Sequence, residues 1–130
     1  MCTIVNIIFG TLVAFSLLSC ATGQHTTMDI NTTAPSIEFL YFDGCPNTPQ
    51  LREYLEAALE QSNDSFTAID LTQLPDTDIR RGYGSPTILV NGHDLFDIPE
   101  PTSSNMSCRT YPSGLPNTQT LIAKLSGKTP

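Results

Sequence analysis

In Tyr41-Phe42-Asp43-Gly44-Cys45-Pro46-Asn47 an apolar run stops at a cysteine and a helical pattern begins at once. The chain must therefore turn from strand to helix within a few residues of Cys45. Upstream, Ile37-Glu38-Phe39-Leu40-Tyr41-Phe42 is β-rich and almost continuously apolar, as in a strand covered on both faces. Downstream, Leu51, Tyr54, Leu55, Ala58 and Leu59 recur at i, i+3, i+4, i+7 and i+8, one stripe of an α-helix. Asn47 or Thr48 is expected to cap that helix, Pro49 suits its first turn, and Ser62-Asn63-Asp64 is expected to end it. Phe66 to Leu71 then reads as a second strand. The βαβ unit so formed should cross over right-handedly, with its two strands parallel.

The second half reads differently. Leu74 to Tyr83 contains a possible short helix from Asp76, and Gly84-Ser85-Pro86 leads into a third strand, Thr87-Ile88-Leu89-Val90. Asn91-Gly92 is a strong hairpin signal, because a type I′ turn needs positive φ at both central positions. His93 to Asp97 is accordingly expected to run back as a fourth strand. A long loop, Ile98 to Leu115, precedes a last helix from about Asn117 to Ser126, with Leu121, Ile122 and Leu125 on its buried side. Loops longer than about 12–15 residues in compact domains are usually functional. The expected fold class is α/β: βαβ, a short helix, a ββ hairpin and a C-terminal α-helix, with a central four-stranded mixed sheet.

The 130 residues allow one domain, and the first 19 stand outside its core. They hold no charged side chain, and Ile4 to Leu18 is an apolar run of signal-peptide rather than membrane-spanning length. Leu17-Leu18-Ser19-Cys20 resembles the bacterial lipobox, which implies lipidation of Cys20. An ordinary cleaved signal or an uncleaved anchor is the alternative, and either puts the domain outside the cytosol. The reading is thus a lipoprotein-type signal at 1–19, a flexible polar tether at 20–35 and a folded domain at 36–130. Its location would be the bacterial cell envelope, the periplasm if the cell is Gram-negative, with the membrane reached through Cys20. All 13 acidic and 6 basic residues follow residue 19, so the mature part carries the net charge of -7. That charge repels nucleic acid and an anionic bilayer surface.

Three stretches are similar to a small thioredoxin-like family: Tyr41 to Asn47, Gly84 to Leu95, and Ser107-Cys108-Arg109-Thr110-Tyr111. Some proteins of this kind carry an alkylmercury lyase label. The resemblance implies a thioredoxin-like fold in which Pro86 is a cis-proline set beside Cys45. The candidate catalytic set is Cys45, Cys108, Pro86 and Thr48, with Ser85, Thr87 and Arg109 as candidate substrate contacts.

A thiol at a helix N-terminus meets unpaired N–H groups and the positive end of the helix dipole, which favour thiolate. Thioredoxins carry a second cysteine three residues on, where this chain has Thr48, which can hydrogen-bond a thiolate or cap the helix but cannot close a disulfide. Topology offers Cys108 instead. The third strand starts at the Pro86 rim and the fourth returns towards it, so the loop holding Cys108 starts on the side of Cys45. Three uses of the pair stay open. It can be a permanent disulfide in a non-catalytic module, a reversible redox pair in which Cys45 attacks and Cys108 resolves, or a soft-metal or organometal trap of two thiolates.

Arg109 is suited to stabilising a thiolate or gripping an anionic group, and Arg80 and Arg81 precede the same rim. Asp43 reads as a turn residue or a proton relay, and His93 as an exposed residue remote from Cys45. No Ser/His/Asp arrangement, phosphate-cradling glycine loop or zinc-ligand spacing occurs, so no cofactor is expected. The functional expectation is thiol-disulfide exchange with protein or small-molecule thiols and disulfides as partners.

Overall fold

Residues 34–128 are described by a computed structural model. The signal segment, Cys20 and nearly all of the tether lie outside the described residues. The strands are β1 (Ile37–Tyr41), β2 (Thr67–Asp70), β3 (Thr87–Val90) and β4 (His93–Asp94), in a mixed sheet of order β2-β1-β3-β4. β1 runs parallel to β2 and antiparallel to β3, and β3 is antiparallel to β4. Two α-helices complete the α/β architecture, α1 (Thr48–Leu59) and α2 (Thr118–Lys128). Among the described residues no helix is long and apolar enough to cross a membrane.

The near-continuous apolarity of β1 follows from covering on both faces. Ile37 and Phe39 join Ile88 and Val90 of β3 in a core closed by Leu51, Leu55, Ala58 and Leu59 of α1 and Leu121 of α2. Leu40 and Leu89 point the other way, onto Leu71, with Phe42, Ile69, Leu74 and Tyr83 around them. Each fully buried leucine in these clusters contributes about 1.5–3 kcal/mol of transfer free energy. Both helices cover one face and irregular turns cover the other.

Two 3₁₀ turns lie here, Leu71–Gln73 before the segment Leu74 to Tyr83 and Ile79–Tyr83 within it, so the short helix expected from Asp76 is a 3₁₀ turn that begins at Ile79. Each is opened by an aspartate whose side chain accepts the N–H two residues on, Asp70 from Thr72 and Asp78 from Arg80. The Asp78 N–H donates to Pro75 O at 2.9 Å, closing a tight turn where a helix would have had to begin. The Arg80 side-chain hydrogen bond is the main cause holding the Asp78 carboxyl below the usual carboxylate range. Arg80 also reaches Glu38 on β1 at 3.1 Å, tying the turn to the sheet.

The hairpin turn has φ of 52° at Asn91 and 81° at Gly92, positive at both positions as type I′ requires. β4 is shorter than the expected His93 to Asp97. Past Asp94 its own carboxylate accepts the N–H of Phe96 at 2.8 Å and of Ile98 at 3.3 Å. Asp97 takes φ 61°, so the strand cannot continue.

The long loop folds back over the second 3₁₀ turn. Ser104 Oγ donates to Asp76 O, and Gly82 lies against Ser103 and Pro101. A Cβ on Gly82 would meet the Ser103 carbonyl oxygen and sit 2.7 Å from Pro101 Cβ. Backbone on one side and a proline ring on the other leave little room to yield. Gly82→Ala is expected to lower unfolding free energy by about 1–3 kcal/mol, the usual cost of overpacking. Urea denaturation checks this, and an unchanged midpoint would show that the loop does not pack there.

Candidate functional site

Cys45 and Cys108, 63 residues apart in sequence, are joined by a disulfide with a Cα–Cα distance of 5.6 Å. That separation lies within the normal range for the bond. In this state both sulfurs are committed to each other, so neither is available as a thiolate ligand. Among the described residues no group of three or more His, Cys, Asp or Glu side chains is arranged to hold a metal ion.

Cys45 lies in the turn between β1 and α1, where Gly44 takes φ 102° and the Thr48 N–H donates to Cys45 O at 3.1 Å. Neither expected cap operates. Asn47 has helical φ and ψ and no side-chain capping bond, whereas Thr48 shares a buried 3.1 Å hydrogen bond with Ser85 Oγ. Ser85 Oγ also accepts the Phe42 N–H at 3.0 Å. The position three residues after Cys45 is thus filled by a hydroxyl that ties α1 to the Ser85 turn. Thr48 is held by Ser85 and does not cap.

Ser85 organises the opposite side of the bridge. The Ser85–Pro86 peptide is cis. The backbone of Ser85 pairs with the segment carrying Cys108: its N–H donates to Ser107 O at 2.9 Å, and the Arg109 N–H donates to Ser85 O at 2.8 Å. These bonds form an isolated parallel bridge between Ser85 and Cys108. Gly84 permits the approach, since a Cβ there would lie 2.9 Å from Ser107 O.

The candidate substrate contacts make hydrogen bonds within the chain. Ser85 and Thr87 are fully buried. Thr87 Oγ1 donates to Tyr83 O at 3.3 Å and accepts from Arg109 Nη1 at 3.0 Å. The Arg109 guanidinium also holds Asp94 through both nitrogens, with side-chain exposures of 9% for Arg109 and 0% for Asp94. It lies 4.8 Å from the centroid of the Tyr111 ring. Arg109 is therefore engaged within the chain by Asp94, Thr87 and Tyr111. Arg80 and Arg81 are likewise paired, with Asp78 and Glu38 and with Asp76. Asp43 and His93 are exposed.

Asp94 and Tyr111 lie in the stretches that carry the resemblance but were given no role by sequence reasoning. Tyr111 Oη donates to Pro86 O at 2.8 Å, securing the loop to the turn beside the bridge. Burial is the main cause that pushes its phenol up to about 12, with Arg109 pulling down and Asp94 pushing up. The available signals were an aspartate two residues beyond the hairpin turn and an arginine on a loop two residues before a tyrosine.

Comparison with protein-family models, with curated proteins and with solved structures returns no match.

Two outcomes follow from the anchoring. Replacing Asp94 by Ala leaves a buried guanidinium without its carboxylate and should cost about 3–5 kcal/mol in denaturant unfolding. A loss below about 1 kcal/mol would mean that the pair is solvated. Tyr111 gives a pH signature. The folded protein keeps a phenolic proton that the unfolded chain releases near pH 10, so its contribution is complete below that value and is lost as pH rises towards about 12. Tyr111→Phe should flatten the fall of stability in that window and, by removing the bond to Pro86, lower stability at neutral pH by about 0.5–1.5 kcal/mol.

Proposed function

We propose that this chain is a thioredoxin-like protein of the bacterial envelope, tethered through a lipidated Cys20, which exchanges thiols and disulfides through a reversible Cys45–Cys108 bridge. The observation that carries the reading is the seating of Cys108. Its two neighbours are hydrogen-bonded to Ser85, immediately before the cis-proline, while its sulfur is bonded to the cysteine that precedes α1. Opening the bridge leaves Cys108 held beside Cys45 by contacts that do not involve sulfur. Two thiols so held re-form their bond intramolecularly, which is the requirement for a dithiol that cycles. The order of strands and helices and the turn at Ser85-Pro86 support the thioredoxin-like reading. The expected partners are small-molecule or protein thiols and disulfides.

The length of the loop that the bridge closes favours a second reading, a non-catalytic module in which the disulfide is a staple. Closing a loop of this length stabilises a chain by about 4 kcal/mol in the entropic model, a large share of a small domain's stability.

Equilibration in glutathione redox buffers decides between them. A cycling pair is expected to titrate with a midpoint between about −120 and −270 mV while the far-ultraviolet circular dichroism stays native. A staple would resist reduction to below about −300 mV or open only on unfolding, and either result would discard the exchange reading.

A further inference from the structure

The two sulfurs of the bridge belong to residues in very different surroundings. Cys45 keeps 3% of its surface, enclosed where β1, α1 and the Ser85 turn meet. Cys108 is exposed on the loop, as are Ser107, Thr110 and Met106, the last at 37%. We infer that Cys108, and not Cys45, is the sulfur that meets external thiols and disulfides, with Cys45 as the enclosed leaving and resolving thiol. This rests on the exchange reading of the pair and reverses the roles expected from sequence, in which Cys45 attacks.

Access and leaving-group chemistry point the same way. A thiolate attacks a disulfide in line with the S–S bond, so the sulfur attacked must be open on the side away from its partner. Exchange rates depend on that access and on how well the departing sulfur carries negative charge. Attack at Cys108 expels Cys45 as a thiolate just ahead of the N-terminus of α1, where the helix dipole favours an anion. Attack at Cys45 would require the attacker to enter a closed junction and would expel the sulfur of an exposed loop residue.

The steps balance. An external thiolate, R–S⁻, forms a bond to Cys108 Sγ while the Cys45–Cys108 bond breaks and its electron pair leaves on Cys45. A second R–S⁻ attacks the sulfur that R brought, R–S–S–R forms, and Cys108 leaves as a thiolate. Two external thiolates are oxidised and the bridge is reduced by two electrons. In the opposite direction the Cys108 thiolate attacks an external disulfide and releases one thiolate. The Cys45 thiolate then attacks Cys108 Sγ, releases the other and restores the bridge. The return step needs Cys108 to stay put, and the two backbone bonds to Ser85 together with the Arg109–Asp94 pair hold it.

The test uses the full chain and glutathione. Cys45→Ser and Cys108→Ser each leave one sulfur of the pair, and adduct formation with oxidised glutathione is timed by mass spectrometry. Cys45→Ser, with Cys108 free, is expected to react at least about tenfold faster than Cys108→Ser. Equal rates, or the reverse order, overturn the inference. If either variant fails to fold, the decision passes to wild-type protein treated with reduced glutathione, acid-quenched and peptide-mapped. The glutathione adduct belongs on Cys108, and an adduct mainly on Cys45 overturns the assignment. Should the wild-type bridge withstand glutathione while folded, the exchange reading fails, whereas the two variants still report which sulfur the fold presents.

Discussion

The ion pair between Asp94 and Arg109 is the interaction on which the loop arrangement depends. Removing both charges from water is expensive, and such a pair holds only when its remaining donors and acceptors are satisfied. Here they are. Asp94 accepts from the guanidinium and from the backbone of Phe96 and Ile98, while Arg109 also donates to Thr87 and stacks on Tyr111. The pair ends β4 and fastens the loop to the sheet. Because Arg109 follows Cys108 directly, fastening the arginine also fixes the cysteine.

That fastening changes the meaning of the disulfide. A bridge that alone held a long loop would be a staple, and opening it would release the loop. This loop is also held by Ser85 through two backbone bonds, by Pro86 through Tyr111, and by close packing on Gly82. Sulfur chemistry at Cys45 and Cys108 is then separable from the loop's position, as the proposed exchange requires. Thr48 fits the same division, since its hydroxyl secures Ser85 and leaves sulfur partnership to Cys108.

The unequal surroundings of the two cysteines follow from their positions in the fold. Cys45 sits where a central strand hands over to a packed helix, and such a junction is closed on several sides. Cys108 lies on an exposed loop segment whose backbone bridges to Ser85. On the proposed reading, a deeply held sulfur and a presented one divide the work of a dithiol that in a local pair would fall to two residues of one turn.

Much of the architecture was legible along the chain, because local periodicity reports covering. The apolar run of β1, the stripe of α1 and the Asn91-Gly92 turn each declare their surroundings through spacing or through a required positive φ. The turn after β1, the parallel β1–β2 pair and the loop that brings Cys108 back follow from these. Details that arise from one side chain meeting a distant backbone were not legible: Thr48 drawn to Ser85, β4 cut short at Asp94, Arg109 withdrawn into an ion pair, and 3₁₀ turns closed by Asp70 and Asp78. By itself the sequence determined the order of elements and offered Cys45 and Cys108 as a candidate pair, since both rest on local pattern and residue identity. Only the tertiary structure decided which of the two is enclosed and what holds the other in position, because burial and buried charge pairing are properties of surfaces brought together from remote parts of the chain.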